Sequence, residues 1–280
     1  MFELFDMRIR TLLIVALLFA SLPMAGQAFF SSGVDSVTPQ AFSAGAASYA
    51  PELVLAPART LPRMSPDLAL ETYEQRNARQ SASLAEYTAS TLIEAQLPDT
   101  SQNGEYELKR HYVAPRTLQF TAIRFKGDKF VKSNVILRML QSEVTHVEKQ
   151  EGPQTAITAA NYKFSYKGVE EIEGRPVHVF ALKPRQKRPG LFKGRIYVDA
   201  ATGSLRRAEG TMVKNPSFFI KNIEFVQDYA DFSDFTLPVH MHSVAKTRIV
   251  GRAVVDIYTR DYAPSVQTAR MMSAALQGGN

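Results

Sequence analysis

The sequence predicts an α+β fold in which a strongly curved antiparallel β-sheet carries helices on its concave face. Between Asn161 and Tyr262, about seven runs alternate apolar and polar residues with period two, and Gly, Pro or Asp ends each run. The connections between these runs are too short for crossover helices, so neighbouring strands should pair antiparallel. Two further segments, near Ser65 and Ser133, have apolar residues at a helical spacing and should bury them on the sheet.

The N-terminal residues have the pattern of a secretory signal peptide. Two arginines precede an apolar segment from Leu12 to Met24, and the small residue Ala28 suits cleavage behind it. This apolar segment is shorter than the roughly 20 residues that a membrane-spanning helix needs. We therefore expect a signal peptide over residues 1–28 and a periplasmic protein. An uncleaved anchor stays open, as does a start of translation at Met7 instead of Met1.

Composition excludes several classes of function. The chain has no cysteine, which excludes a disulfide framework, a thiol nucleophile and a cysteine-ligated metal. Its formal charge of +6 is spread out, with small clusters at 185–188 and 206–207 and no run of five or six basic residues. This charge suits anionic lipid headgroups and a peripheral contact with a membrane, whereas no motif for binding nucleic acid is visible.

A segment rich in Ala, Ser, Pro and Gly leads to the first helix. Residues 29–64 have few periodic apolar positions and are expected to form a flexible tether. Ser65 is a favourable N-cap residue and Pro66 a favourable first helical residue, so a helix should begin there. We expect it to run to about Leu97, as one helix or as two with a break near Ser81.

A predicted hairpin and a second helix follow. The strands Glu105–Val113 and Thr117–Phe125 are joined by a turn, and the first has a mainly apolar face that also carries Arg110. The second helix should run from Ser133 to about Lys149, with polar residues such as Glu143 placed away from its apolar seam. The seam consists of Ile136, Leu140, Val144 and Val147. Because this helix interrupts a series of strands, we expect it to be a lid over the concave face.

The remaining strands are separated by clear turn residues. They are predicted at Tyr162–Val169, Pro176–Pro184, Gly194–Asp199, Ser204–Lys214, Phe218–Tyr229, Leu237–Thr247 and Ala253–Tyr262. The segment from Asp199 to Gly203 is the sharpest turn signal and predicts a hairpin. We expect one domain over residues 65–264 and a short C-terminal tail over 265–280.

Residues that could support catalysis or bind a metal ion give only weak signals. His240 and His242 should point from the same face of a strand, as a metal pair requires, but no third ligand is nearby, so a solvated or hydrogen-bonded pair is favoured. His178 is interpreted as a structural histidine. The sequence contains no Gly-x-Ser-x-Gly motif and no glycine-rich phosphate loop. We therefore predict no enzymatic activity, no metal site and no cofactor.

Large apolar side chains on the predicted strand faces are candidate ligand-binding residues. An ordinary core explains most of them, yet a curved sheet covered by two helices can also enclose an apolar cavity. There, Arg110 could meet a lipid headgroup or hold the lid by hydrogen bonds, and stacking on Tyr106 or Tyr112 is the simpler alternative. The candidate cavity and lid residues are Tyr106, Arg110, Tyr112, Phe120, Ile136, Leu140, Val144, Tyr162, Phe164, Tyr166 and Phe180.

Two stretches resemble the central hairpins of a known family. Gly174–Pro184 reads GRPVHVFALKP and Gly194–Gly203 reads GRIYVDAATG, and both are similar to the outer-membrane lipoprotein carrier and sorting superfamily (LolA/LolB-like). The resemblance covers about residues 65–262 and includes the order of signal peptide, N-terminal helix and strand meander interrupted by a helix. These motifs are typical of the fold and not of a catalytic site.

The resemblance implies both a fold and a function. The fold is an unclosed β-barrel with a helical lid over an apolar cavity, and the function is to carry lipid or lipoprotein acyl chains across the periplasm. Other members of the superfamily sense lipoproteins in envelope-stress signalling. The alternative is therefore a signalling or scaffold protein that binds a protein partner with the same face. The long tether and the helix near Ser133 depart from the family pattern and leave the cargo open.

Overall fold

The structure, a computed structural model, describes residues 63–215 and 218–266. The helices are α1 Pro66–Ser83, α2 Lys129–Val131, α3 Leu137–Glu148 and α4 Gly152–Thr155, with a 3₁₀ turn at Pro98–Thr100 and a π-helical stretch at Lys132–Ile136. The strands are β1 Leu84–Leu97, β2 Gln102–Val113, β3 Thr117–Gly127, β4 Tyr162–Ile172, β5 Arg175–Pro184, β6 Phe192–Asp199, β7 Leu205–Met212, β8 Ile220–Phe232, β9 Phe235–Thr247 and β10 Arg252–Val266. The expected signal peptide, nearly all of the expected tether and most of the expected tail lie outside the described residues.

The strands form one antiparallel sheet in the order β3-β2-β1-β10-β9-β8-β7-β6-β5-β4. Strands β4 to β10 are a meander, and β10 then pairs with β1, so β3 and β4 are the two edges and the sheet does not close. One apolar cluster contains side chains from β2 near one edge and from β4 at the other, together with residues of α1 and α3. The sheet therefore curls around this core. The predicted unclosed antiparallel sheet with helices on its concave face is confirmed.

The first helix is shorter than predicted. Its start is confirmed, because Ser65 Oγ accepts a hydrogen bond of 3.3 Å from the Leu68 amide. It ends at Ser83 and not near Leu97, since the following 14 residues form β1. Burial along β1 alternates with period two, and the strand pairs on one side with β2 and on the other with β10. These pairings, one of them to a strand far along the chain, override the helix-forming residues within the segment.

The predicted strands after residue 100 are confirmed, with ends that shift by a few residues. The turn from Asp199 to Gly203 is also confirmed: Asp199 Oδ1 accepts hydrogen bonds from the amides of Ala201 at 2.9 Å and Thr202 at 3.0 Å. Gly203 has a φ of +67°, and a Cβ there would lie 2.6 Å from the Thr72 side chain. The hairpin turn therefore packs against α1, and glycine is the residue that this contact admits.

The second helical region begins before the predicted residue. Helical structure starts at Lys129, and Ser133 lies inside the π-helical stretch instead of capping a helix. Asp128 precedes the region in extended conformation, and its side chain accepts a hydrogen bond from the Asn103 amide at 2.8 Å. The predicted apolar seam packs on the concave face of the sheet: three of its four residues are buried and Val144 is half-buried.

The last residue of the expected tether is attached to the sheet. The Met64 amide donates to the Ala200 carbonyl at 2.7 Å, and His178 Nε2 donates to the Met64 carbonyl at 3.0 Å. His178 Nδ1 lies 3.3 Å from the Tyr166 hydroxyl, so the buried ring has a partner at each nitrogen, as expected for a structural histidine. Within the described ranges, no helix combines the length and apolar character needed to cross a membrane.

Candidate functional site

A buried ion pair joins the second helical region to the sheet. Alternation along β2 turns Arg110 toward the concave face together with Tyr106 and Tyr112. There its Nη1 donates to Glu143 Oε1, and its Nη2 donates to Glu143 Oε2 at 3.2 Å. Both side chains are almost fully buried, with exposures of 2% and 3%. Arg110 therefore holds α3 against β2 through a two-pronged, charge-assisted contact.

Aromatic rings surround this ion pair. Tyr87 of β1 stacks on Tyr112 with 5.3 Å between ring centroids, and Tyr262 of β10 packs edge-on against Tyr87 at 5.5 Å. The Arg110 guanidinium lies 5.1 Å from the centroid of the Phe120 ring. The site thus combines β1, β2, β3 and β10 of the sheet with α3. It is an apolar pocket that α3 fills and into which one ion pair is placed.

Burial determines the protonation of the groups in this pocket. Burial raises the pKa of Glu143, and the adjacent Arg110 guanidinium and its hydrogen bonds oppose that rise. Burial also raises the pKa of Tyr112 to about 12, with a smaller contribution from Tyr87. The phenols therefore keep their protons at neutral pH. A carboxylate in such surroundings depends on its cation, because little water reaches it.

The structure places the predicted site residues in two neighbouring groups and one outlying position. Around the ion pair lie Arg110, Tyr112, Phe120 and Val144. In the larger core lie Tyr106, Ile136, Leu140, Tyr162, Phe164 and Phe180. Tyr166 is 45% exposed on the edge strand β4, where its ring contacts Phe180 and His178. Ten of the eleven residues therefore belong to the packed concave face.

Glu143 was assigned to the wrong side of its helix. The sequence interpretation placed it among the polar residues away from the seam, yet it is buried against Arg110. It lies three residues after Leu140 and four before Val147, which puts it on the seam's own side of the helix. An arginine on an apolar strand face requires an anionic partner, and that requirement was the available signal. Tyr87 and Tyr262 were missed because they come from strands far apart in sequence.

His240 and His242 are hydrogen-bonded to a shared carboxylate. Their side chains lie 3.3 Å and 2.9 Å from Asp256 Oδ1, and the His240 ring stacks on Tyr258 with 4.7 Å between centroids. Among the residues that the structure describes, no group of three His, Asp or Glu side chains is arranged to hold a metal ion. The pair matches the hydrogen-bonded arrangement favoured from the sequence.

A cleft of about 650 Å³ lies at the ends of β1, β2 and β3. Its walls are largely polar and include Glu94, Gln102, Asn103, Glu105 and Lys126. The predicted apolar site differs from this cleft, because its residues pack directly on one another beneath α3. A ligand would reach the concave face there only after α3 moves.

Comparisons with known proteins give similarities of fold. A family model described as a family of unknown function (DUF5686) matches residues 141–263, less than half of the 280 residues. A comparison with curated proteins found no match. The chain also has a low similarity to solved structures that include a LolA superfamily protein.

Three of these structures illustrate the level of similarity. A domain described as an outer membrane lipoprotein-sorting protein from Vibrio parahaemolyticus is 15% identical, with 73% of this chain and 94% of that chain covered and a TM-score of 0.40. A LolA superfamily protein from Nitrosomonas europaea is 10% identical, with coverages of 71% and 93% and a TM-score of 0.35. The MucA/MucB complex of Pseudomonas aeruginosa gives 10% identity, coverages of 70% and 99% and a TM-score of 0.23. Similarities at this level do not transfer a function.

Proposed function

We propose that the protein is a periplasmic carrier of lipid or lipoprotein acyl chains, and that residues 129–148 form the lid of its binding site. The observation that carries this proposal is the buried Arg110–Glu143 pair between the sheet and α3. In this proposal the arrangement described above is the closed state, and the seam packs on the apolar face that the acyl chain would enter.

A buried ion pair suits a contact that must be released. Removing two charges from water costs several kcal/mol per ion, and their attraction in the protein interior roughly offsets that cost. When the lid opens, both Arg110 and Glu143 regain water, so opening loses little electrostatic free energy. If apolar side chains took the place of the ion pair, opening would cost the whole free energy of exposing their surface to water. The pair therefore specifies where the lid sits without fixing it there.

The chemistry of the covered face favours a hydrocarbon ligand. Beneath the lid lie aliphatic and aromatic side chains, and opening would expose buried residues such as Leu108, Met139 and Leu140 to water. An acyl chain would cover this surface again, and each methylene group withdrawn from water contributes about 0.8 kcal/mol. The acyl chain would then lie between the sheet and the displaced seam, and the seam would supply part of its apolar contact. Arg110, released from Glu143, would be available to an anionic headgroup.

A pair of matched variants on α3 tests the proposal. Leu140→Asp places a carboxylate on the seam, where Leu140 is 4% exposed, and Gln141→Asp places the same group on the exposed side of the same helix. If α3 is a lid, Leu140→Asp should stay folded with α3 displaced, and its affinity for a fluorescent fatty acid should fall by about tenfold or more. Gln141→Asp should bind like the unmodified protein. The measurements are circular dichroism and fatty-acid fluorescence on the same samples.

Two outcomes would contradict the proposal. An unfolded Leu140→Asp protein would show that α3 is a fixed part of the core, since a buried unpaired carboxylate costs several kcal/mol. A folded variant with unchanged fatty-acid affinity would show that the seam takes no part in binding. Native mass spectrometry of protein purified from the cell envelope distinguishes the carrier from the scaffold. Co-purifying lipid supports the carrier, and a stable protein partner without lipid supports a scaffold.

A further inference from the structure

Three loops lie side by side at one end of the sheet. They follow β5, β7 and β9, and in an antiparallel meander such turns share one end. Hydrogen bonds join them: the Val213 amide donates to the Leu191 carbonyl at 3.0 Å, and the Arg248 amide donates to the Phe219 carbonyl at 2.8 Å. We call this surface, consisting of residues 185–191, 213–215, 218–219 and 248–251, the loop tip.

The loop tip exposes large apolar side chains to solvent. Phe218 is 77% exposed, the highest value among the exposed large apolar side chains of the described residues, and Ile249 is 51% exposed. Phe218 and Phe219 contact each other edge-on with 6.0 Å between centroids. Exposed apolar residues are ordinary when single, but two of them on hydrogen-bonded neighbouring loops form a patch that a partner can cover.

The loop tip is also strongly basic. It contains five Lys or Arg residues and no Asp or Glu. Its arginines have neutral partners: Arg185 Nε donates to the Ala159 carbonyl at 2.8 Å, and Arg248 Nε donates to the Phe218 carbonyl at 2.9 Å. The Arg248 guanidinium also lies 4.7 Å from the centroid of the Phe218 ring. These contacts hold the two arginines to neutral groups of the loops, and neither arginine forms an ion pair among the described residues.

We infer that the loop tip docks on the surface of an anionic lipid bilayer, with Phe218 and Ile249 entering the interface and the cations contacting headgroups. Aromatic side chains favour the headgroup level of a membrane, and basic residues near the surface are attracted by anionic lipids. The tip combines an aromatic side chain that is 77% exposed with five basic residues, and this combination suits the interface of an anionic bilayer. This docking does not depend on the lid and goes beyond the carrier function proposed above.

A single-tryptophan probe tests insertion at the tip. The chain contains no tryptophan, so the emission of a full-length Phe218→Trp variant reports that position alone. Its emission should shift to shorter wavelength with vesicles of equimolar phosphatidylcholine and phosphatidylglycerol, and less with phosphatidylcholine alone. Ile123→Trp is the matched control, because Ile123 is 53% exposed on the edge strand β3 outside the loop tip, and its emission should not shift.

A second pair of variants tests the cations. Lys187→Ser with Lys214→Ser removes two exposed charges of the tip and should weaken vesicle binding roughly 25-fold, at about fivefold for each lysine. Arg260→Ser, which removes an exposed cation of β10 away from the tip, should leave binding unchanged. Added salt should weaken binding of the unmodified protein.

Several results would overturn the inference. These are an unshifted emission of the Phe218→Trp variant, an equal shift of the Ile123→Trp variant, an equal response to both kinds of vesicle, or unchanged binding of the double lysine variant. An emission shift that grows with protein concentration in the absence of vesicles would assign the tip to a second copy of the chain instead. Fatty-acid binding should be unaffected in all tip variants, so failure of this inference is distinguishable from failure of the carrier function.

Discussion

The Arg110→Met variant distinguishes between two hypotheses, that α3 is a fixed part of the core and that α3 is a lid. The change keeps a long side chain but leaves Glu143 without its cation in a site where it is almost fully buried. If α3 cannot move, the variant must bury an unpaired charge, and breaking such a pair costs about 3–5 kcal/mol of the free energy of unfolding. If α3 is a lid, Glu143 reaches water when the lid opens, and the loss is limited to the free energy of that opening.

Two measurements on the Arg110→Met variant distinguish these cases. Urea unfolding gives the global free energy, and amide hydrogen exchange gives the local opening of residues 137–148. We expect a global loss well below 3 kcal/mol together with faster exchange in α3. The double variant Arg110→Met with Glu143→Leu should regain or exceed the original stability, by up to about 4 kcal/mol, and should exchange slowly in α3 because its lid is held by apolar packing.

The pH dependence supplies a further check. Burial raises the pKa of Glu143, and without the Arg110 cation the pKa should rise further. A carboxyl group with a raised pKa in the folded state contributes stability that is present below the unfolded value of about 4.3 and is lost as pH rises through the folded value. The defect of Arg110→Met should therefore be smaller at acidic pH than at neutral pH. A global loss of about 3–5 kcal/mol with unchanged exchange in α3 would refute the lid.

Two predictions concern residues outside α3. Burial acts to raise the pKa of Asp199, but hydrogen bonds from two turn amides and the Arg206 guanidinium lower it overall, so its stabilising contribution is lost as pH falls through the folded value. Asp199→Asn should lower the free energy of unfolding by about 1–2 kcal/mol near neutral pH, and the loss of stability at acidic pH should become smaller when it is measured by urea unfolding. An unchanged loss of stability at acidic pH would contradict this. A chain starting at Pro62 should keep its melting temperature. A chain starting at Ser65 loses both backbone hydrogen bonds of Met64, which contribute about 2 kcal/mol to the free energy of unfolding. Its melting temperature should therefore be roughly 4–8 °C lower. Equal melting of the two truncations would show that Met64 contributes nothing.

Local patterns carried most of the fold prediction. The strands after residue 100 follow from period-two alternation and from turn residues such as Asp199 and Gly203, which act within a few positions. Strand β1 was missed because its residues include alanine, glutamate and leucine, which favour a helix, and because its partner β10 lies some 170 positions further along the chain. A window of neighbouring residues does not contain that pairing.

In the candidate site too, local signals were recognised from the sequence and contacts between distant residues were not. Arg110 and the seam residues were recognised, because a cation among apolar residues and a helical spacing are both visible along the sequence. The pairing of Arg110 with Glu143 was not recognised, since it depends on how α3 crosses β2 and on which turn of the helix meets it. Tyr262 required the order of the sheet, which places the last strand beside the first.

The two edges of the sheet determine how the helical segment between β3 and β4 is attached. The chain leaves the sheet at the end of β3, forms residues 128–161 and re-enters at β4, which is the opposite edge. Residues 128–161 therefore have their two ends fixed to the two free borders of one curved sheet. If this segment is the proposed lid, spreading of the two borders would act on both of its ends. Entry of a ligand into the interior and displacement of α3 would then be coupled through the curvature of the sheet.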